Sequence, residues 1–326
     1  MKWEFPDVTF NDDEFNCLDQ NIALCAAHIN KEYYYYYFFY LTMCSLWDID
    51  FPEEFTIHRN TILDKFGLCL KKIPCKNASI LAKSRELINC NYPVILFLKR
   101  CTIPYYKNAD VPDVTLHSII ISDFNDSSAC LFENLHLKET DIYPKNGYNI
   151  YEFWVHQYLV ESMWSTSNLI PDGFGTQNNV FIVDEIGPSR ISSYKDLIND
   201  ILKTCSVNAD NFVNLLRRDC FDPSILSETD LMVGVRLQHI NPRKALLQCM
   251  ILWCKDSKLK SELSEFKETY ITIINQIMNR LCVLAKRNKI LNLIEREGMI
   301  SKMEKLNIQL FEFLALLGKQ DAIDPY

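Results

Sequence analysis

The sequence predicts an α+β fold, in which a domain of mixed helices and antiparallel strands is followed by a mainly helical C-terminal subdomain. Short apolar runs of the kind that form strands are confined to about the first 190 residues, and a turn-rich segment typical of a hairpin joins two of them. From Ser192 onward the apolar residues repeat at helical spacing, and strand signals nearly vanish. We therefore predict two domains, residues 1–190 and residues 191–326.

The first elements of the N-terminal domain are predicted to be helical. Residues 17–28 have helical periodicity, and Asn16 is placed to cap this helix, so that Cys17 lies in its first turn. The aromatic run at residues 33–47 is either a second buried helix or an aromatic-rich strand. Two further helices are predicted after a linker at about residues 50–54, and they span residues 59–66, ended by Gly67, and residues 79–89.

Four compact apolar runs are predicted to be strands, and they are residues 92–98, 117–122, 129–132 and 180–183. The second and third are separated by a segment rich in Asp, Asn and Ser, which favours an antiparallel hairpin. Five helices are predicted in the C-terminal subdomain, at residues 193–205, 209–219, 242–254, 258–288 and 300–317. Ser192 or Ser193 is placed to cap the first of these helices.

Composition excludes several classes of function. The 326 residues are 48% hydrophobic and 23% charged, as in a soluble globular protein, and the net charge of −8 argues against binding nucleic acid. We see no secretory signal, and the most apolar run is shorter than the ~20 residues of a membrane span. The 13 cysteines show no C-x-x-C spacing, so we expect free thiols, no zinc site and a cytoplasmic protein. With eight glycines, a phosphate-binding loop has little support.

Two residues are candidates for nucleophilic catalysis. A thiol at a helix N-terminus, as predicted for Cys17, lies beside free backbone N–H groups that stabilise a thiolate and can also bind an oxyanion. His117 opens a predicted strand, which would hold an imidazole base rigidly. Such a base needs a third group to orient it, and the following strand ends in Glu133 and Asn134, either of which could do so.

The order of these elements resembles the papain-like superfamily of cysteine enzymes. The phrases FNCLDQNIAL, NYPVILFLKR and LHSIIISDFNDSSACLFENL, within about residues 15–140, are similar to the butirosin-pathway acyltransferase (BtrH-like) family and more distantly to C39-type peptidases. The resemblance implies a papain-like domain with Cys17 as nucleophile and His117 as base. Where that family commonly has Asp-Pro after the second hairpin strand, this chain has Glu133 and Asn134.

The resemblance also implies a reaction. Members of the family move an acyl group from the phosphopantetheine thioester of a carrier protein, through a cysteine thioester, to an amine, usually in antibiotic biosynthesis. The expected partners are therefore an acyl or peptidyl carrier protein and a small-molecule amine, with no cofactor or metal bound by the chain itself. Papain-like enzymes bind the oxyanion with a side-chain amide shortly before the cysteine, and here Asn11 and Asn16 are the candidates.

Two alternatives use the same sequence features. A cysteine peptidase or amidase would use the same Cys17 and His117 pair, with water as the acceptor in place of an amine. A non-catalytic interaction protein with a degenerate papain-like fold would leave the Cys17 thiol inert or far from His117.

Overall fold

The computed structural model describes residues 17–43, 55–75, 79–104, 116–133, 151–169, 177–205, 211–217 and 241–320. It confirms the predicted α+β class, since the described residues form an antiparallel sheet of six strands and many helices. The predictions for Asn11, Asn16, Asn134 and the linker at residues 50–54 lie outside the described residues.

Contacts divide the chain into two units. The first comprises Met1–Tyr37 and Phe51–Arg190, and the second comprises Phe38–Asp50 and Ile191–Tyr326. The segment Phe38–Asp50 belongs with the C-terminal helices, which the change in composition near residue 190 did not indicate. The helix that contains Tyr37 and Phe38 is therefore shared between the two units.

The described residues of the N-terminal part form, besides the sheet, the helices α1 (Cys17–Ile29), α2 (Tyr33–Met43), α3 (Phe55–Leu63), α4 (Ile80–Asn89) and α5 (Gln157–Asn168). The aromatic run that begins at Tyr33 is a helix and not a strand. Almost every side chain of α2 is buried, so both faces of this helix contact protein, which explains why its sequence lacks an amphipathic pattern.

The sheet consists of β1 (Leu68–Pro74), β2 (Val94–Lys99), β3 (Leu116–Phe124), β4 (Ser128–Glu133), β5 (Tyr151–His156) and β6 (Asn179–Glu185). The strands lie in the order β1-β6-β2-β3-β4-β5, and all neighbours are antiparallel. The predicted hairpin is formed by β3 and β4, and its turn is stabilised by the Asn125 side chain, which accepts hydrogen bonds from the backbone of Ser127 and Ser128.

Two strands and one helix were not predicted from the sequence. The strands β1 and β5 are the two edges of the sheet, and their exposed faces carry polar residues such as Lys71 and Glu152, which dilute the apolar signal. The helix that was not predicted is α5, and His156 lies at the junction between β5 and this helix. His156 ends β5, and its ring nitrogen accepts a hydrogen bond from Tyr158 N, which caps α5.

One face of the sheet is covered by α4 and α5. The buried residues of this layer form one apolar cluster, which includes Ile80 and Leu87 of α4, Val160 and Met163 of α5, and Leu96, Ile119 and Leu131 of the strands. The central strand β2 is buried along its whole length. The sheet is therefore a rigid support for side chains that project from β3 and β4.

Gly67 joins a short 3₁₀ helix (Asp64–Phe66) to β1 in a conformation that other residues rarely adopt. Its φ is 71°, and a Cβ placed there would lie 2.1 Å from the carbonyl oxygen of Gly187. We expect Gly67→Ala to destabilise the protein by about 2 kcal/mol or more, because the left-handed backbone and the clash act together. Gly187→Ala is the matched control, since a Cβ at Gly187 meets nothing within 4 Å. Equal urea midpoints for the two variants would contradict this account.

The second unit is helical throughout its described part beyond residue 190. Its helices are α6 (Tyr194–Thr204), α7 (Asn211–Arg217), α8 (Asn241–Trp253), α9 (Ser257–Lys286) and α10 (Leu293–Gly318). The Ser193 side chain caps α6, as predicted, and Asp256 and Asn292 cap α9 and α10.

Helix α2 supplies aromatic residues to the core of this unit. The ring of Phe39 stacks on Trp253 with a centroid distance of 5.0 Å, and Tyr194 meets the same indole edge-on. The Tyr40 hydroxyl donates a hydrogen bond to Asp200. None of the helices in the described ranges combines the length and the apolar character that crossing a membrane would need.

Candidate active site

Cys17 is the first residue of α1, and its side chain is partly exposed. Helix α1 packs against β3 and β6, so the start of this helix faces the first residues of β3. The thiol is therefore held next to the sheet.

His117 and Glu133 come from neighbouring strands of the sheet. Ile120 of β3 pairs with Phe132 of β4. Because the two strands are antiparallel, Glu133, which follows Phe132, lies toward the start of β3, where His117 is. The Nε2 atom of His117 is hydrogen-bonded to Oε1 of Glu133, and both side chains are buried, with relative exposures of 5% and 1%. Of the two groups that the sequence left open, Glu133 contacts the imidazole, whereas Asn134 lies outside the described residues.

The thiol of Cys17 and the imidazole of His117 lie close enough to shift each other's pKa through their charges and hydrogen bonding. Since Nε2 already contacts Glu133, Nδ1 is the ring nitrogen that remains for the sulfur. The structure thus brings three of the predicted residues into one line, in the order thiol, imidazole and carboxylate. This is the arrangement in which a base activates a nucleophile and a third group orients the base.

Burial and charge act in opposite directions on this pair. Burial raises the pKa of the Cys17 thiol, but the His117 charge and hydrogen bonds from His117 and Ser118 outweigh it, and the pKa lies below its usual value. Burial alone would lower the pKa of His117, but the carboxylate of Glu133 and the Cys17 thiolate raise it to about 10. The contact between the two groups therefore favours the thiolate of Cys17 together with the imidazolium of His117.

Two polar residues at the site were not identified from the sequence as functional. Asn21, one helical turn after Cys17, donates from Nδ2 to the backbone oxygen of Ser118 at 2.8 Å and to its hydroxyl at 2.9 Å. Ser118 directly follows His117 in β3. The available signals were the position of Asn21 on the same helix face as Cys17 and the polar residue next to the base in an otherwise apolar strand.

A buried ion pair fixes the position of α1 close to Cys17. The guanidinium of Arg59 in α3 donates to both carboxylate oxygens of Asp19 at 3.1 Å, and Tyr37 donates its hydroxyl to Asp19 at 2.6 Å. Asp19 is fully buried, and Arg59 is 9% exposed. Because Asp19 is two residues from Cys17, this pair sets the position of the helix start.

The remaining cysteines and acidic residues suggest no metal centre among the described residues, where no group of three His, Cys, Asp or Glu side chains could hold an ion. Every cysteine in the described ranges is a free thiol. Cys25 lies in the same helix as Cys17 but is fully buried, and burial raises its pKa well above the usual value. Burial acts on both thiols, but in Cys17 the interactions with His117 and Ser118 outweigh it.

The two oxyanion candidates, Asn11 and Asn16, lie outside the described residues, so their role stays a prediction. A scan against protein-family models and a search of curated proteins found no match to this sequence.

Proposed function

We propose that this protein is a papain-like cysteine acyltransferase, which forms an amide by moving an acyl group from a thioester to an amine through a thioester on Cys17. The observation that carries the proposal is the line of Cys17, His117 and Glu133, in which the imidazole is hydrogen-bonded to the carboxylate and lowers the pKa of the thiol. The antiparallel sheet that holds the base and the helix that starts at the nucleophile are consistent with a papain-like domain.

The first step forms the acyl-enzyme. The Cys17 thiolate attacks the carbonyl carbon of the donor thioester, and the tetrahedral intermediate collapses as the carbon–sulfur bond to the donor breaks. The donor leaves as a thiol after it takes the proton from the His117 imidazolium. The carboxylate of Glu133 stabilises that imidazolium before the transfer and keeps the ring oriented after it.

The second step forms the amide. A neutral His117 removes a proton from the attacking amine, the carbon–sulfur bond to Cys17 breaks, and the thiolate–imidazolium pair is restored. Thioester aminolysis is downhill, so the reaction requires neither ATP nor a metal. A carrier-protein phosphopantetheine thioester is the donor we propose, and a small-molecule amine in a specialised-metabolite pathway is the acceptor.

Selective alkylation tests whether Cys17 is a thiolate. A thiol of ordinary pKa near 8.5 is only about 0.3% ionised at pH 6. We expect iodoacetamide at pH 6 to modify Cys17 faster than the exposed Cys90, even after allowing for the lower nucleophilicity of a low-pKa thiolate. Peptide mass spectrometry measures both rates in the same sample. Equal rates at pH 6 would contradict the assignment of Cys17 as nucleophile.

The acyl-transfer step is tested by intact mass spectrometry with acyl-pantetheine donors. Wild type and the Cys90→Ala control are expected to gain one acyl group, and Cys17→Ala is expected to gain none. Adding a panel of amines is then expected to discharge the acyl-enzyme faster than water alone does, with formation of the amide. Discharge by water at the same rate with every amine would instead identify a hydrolase.

A further inference from the structure

We propose that the hydroxyl of Ser118 is a further catalytic contact to the sulfur of Cys17, and that Asn21 is the positioning residue that directs this hydroxyl. The inference deepens the proposed function and rests on it, since it assigns a role to two residues outside the Cys17, His117 and Glu133 line. Both residues are 1% exposed, so water does not compete for their hydrogen bonds.

The direction of the hydrogen bonds follows from the chemistry of the groups. The backbone oxygen of Ser118 can only accept, so the Asn21 atom 2.8 Å from it must be the amide nitrogen. The same nitrogen lies 2.9 Å from the Ser118 hydroxyl oxygen, and that oxygen must therefore accept as well. The amide has two hydrogens and can serve both acceptors. The hydroxyl hydrogen of Ser118 takes no part in the bonds to Asn21, so it can be donated to another acceptor.

The acceptor for that hydrogen is the sulfur of Cys17. Asn21, which contacts Ser118, lies one helical turn after Cys17 on the same face of α1, so Ser118 lies beside the thiol. Hydrogen bonding from the side chain and backbone of Ser118 lowers the pKa of Cys17, as His117 also does. A thiolate can only accept, so the Ser118 hydroxyl and N–H both donate to it. A chain of donors therefore runs from Asn21 through Ser118 to the sulfur.

This contact has a role that the imidazolium cannot fill in the second step. When the amine displaces the sulfur, His117 is taking up the proton of the amine, and the departing thiolate gains its negative charge at the same moment. The Ser118 hydroxyl and N–H are already aimed at that sulfur and need no rearrangement, as preorganised donors for a developing anion should be.

The test is the apparent pKa of the Cys17 thiol, measured from the pH dependence of iodoacetamide alkylation in the full chain. We expect Ser118→Ala to raise it by about 1–2 units, the size expected for losing a hydrogen bond to a charged group. Asn21→Leu is expected to raise it by a smaller amount, because the hydroxyl remains but is no longer directed. Ser118→Thr keeps the hydroxyl and is expected to restore the wild-type value.

Ser122→Ala is the matched control. Ser122 is also buried in β3, but its hydroxyl donates to the backbone oxygen of Cys130 at 3.4 Å, so its loss is expected to leave the Cys17 pKa unchanged. An unchanged pKa in folded Ser118→Ala, or in folded Asn21→Leu, would overturn the inference. The outcome is separate from the proposed function: a shifted pKa without acyl transfer would refute only the reaction, and acyl transfer with an unshifted pKa would refute only the role of Ser118.

Discussion

Replacing Glu133 by glutamine is expected to slow the acylation of Cys17 by about 10²–10⁴-fold, the range in which acid–base residues contribute. Glutamine has almost the same shape as glutamate but no charge, so it can orient the His117 ring without stabilising its positive form. Because the imidazolium in turn stabilises the Cys17 thiolate, the loss of charge at Glu133 also raises the pKa of Cys17.

The pH dependence of acylation tests the role of Glu133 most directly. Acylation by the wild type should appear as the pH rises through the lowered pKa of Cys17 and should be lost as it rises through the pKa of His117, raised to about 10. In Glu133→Gln the pKa of His117 falls and that of Cys17 rises, so the active range narrows from both sides. The pH dependence of kcat/KM for acylation, from pH 5 to 10.5, measures both limits.

Two variants serve as controls for Glu133→Gln. Glu133→Asp keeps the charge. The pH at which its acylation activity is lost on the alkaline side should therefore lie closer to the wild-type value than in Glu133→Gln. Glu152→Gln removes a glutamate from the neighbouring strand β5, whose side chain is exposed, and should leave the profile unchanged. A wild-type profile in folded Glu133→Gln would show that the carboxylate does not act on the base.

Arg59→Met is expected to destabilise the protein by about 3–5 kcal/mol, the usual cost of removing one partner from a buried ion pair. The change leaves the fully buried carboxylate of Asp19 without its guanidinium, and methionine fills only part of the space. Urea denaturation measures the loss as a lower midpoint. Since Asp19 also holds the start of α1, the alkylation rate of Cys17 at pH 6 should fall in the part of the population that remains folded.

Lys83→Met is the matched control for Arg59→Met. It removes the same kind of charge from the same unit, but the pair of Lys83 with Glu86 lies at the surface of α4, where an ion pair contributes less than about 1 kcal/mol. If the two variants unfold at the same urea concentration, the ion pair of Asp19 and Arg59 is not what fixes α1.

The elements that could be predicted from the sequence are those buried on every side or amphipathic over several turns. The strands β2, β3 and β4 lie in the interior of the sheet, and their continuous apolar runs stand out. The edge strands β1 and β5 each have one face in water, and their short alternating patterns were missed. Helix α5 does carry a helical repeat in Val160, Met163, Trp164 and Ser167, but Ser and Thr residues around it obscure the repeat.

At the site, the position of a residue at the start of a predicted helix or strand was a better guide to the functional residues than its chemical type was. The start of a helix identified Cys17, and the start of a strand identified His117. The choice between Glu133 and Asn134 required the strand register, which depends on where the turn at Asn125 closes the hairpin. Ser118 and Asn21 are far apart in the sequence, and only the packing of α1 on β3 brings them together.

The sharing of α2 between the two units has a consequence for the order of folding. Tyr40 and its partner Asp200 are 160 residues apart, so at ordinary rates of translation roughly 10–30 s pass between their synthesis. During that time the residues that the first half of α2 contacts nearby in the chain are already synthesised, such as Phe66, on which Tyr33 stacks in the folded protein. The second half, with Phe39, must wait until α6 and α8 have been synthesised before its aromatic surface is covered.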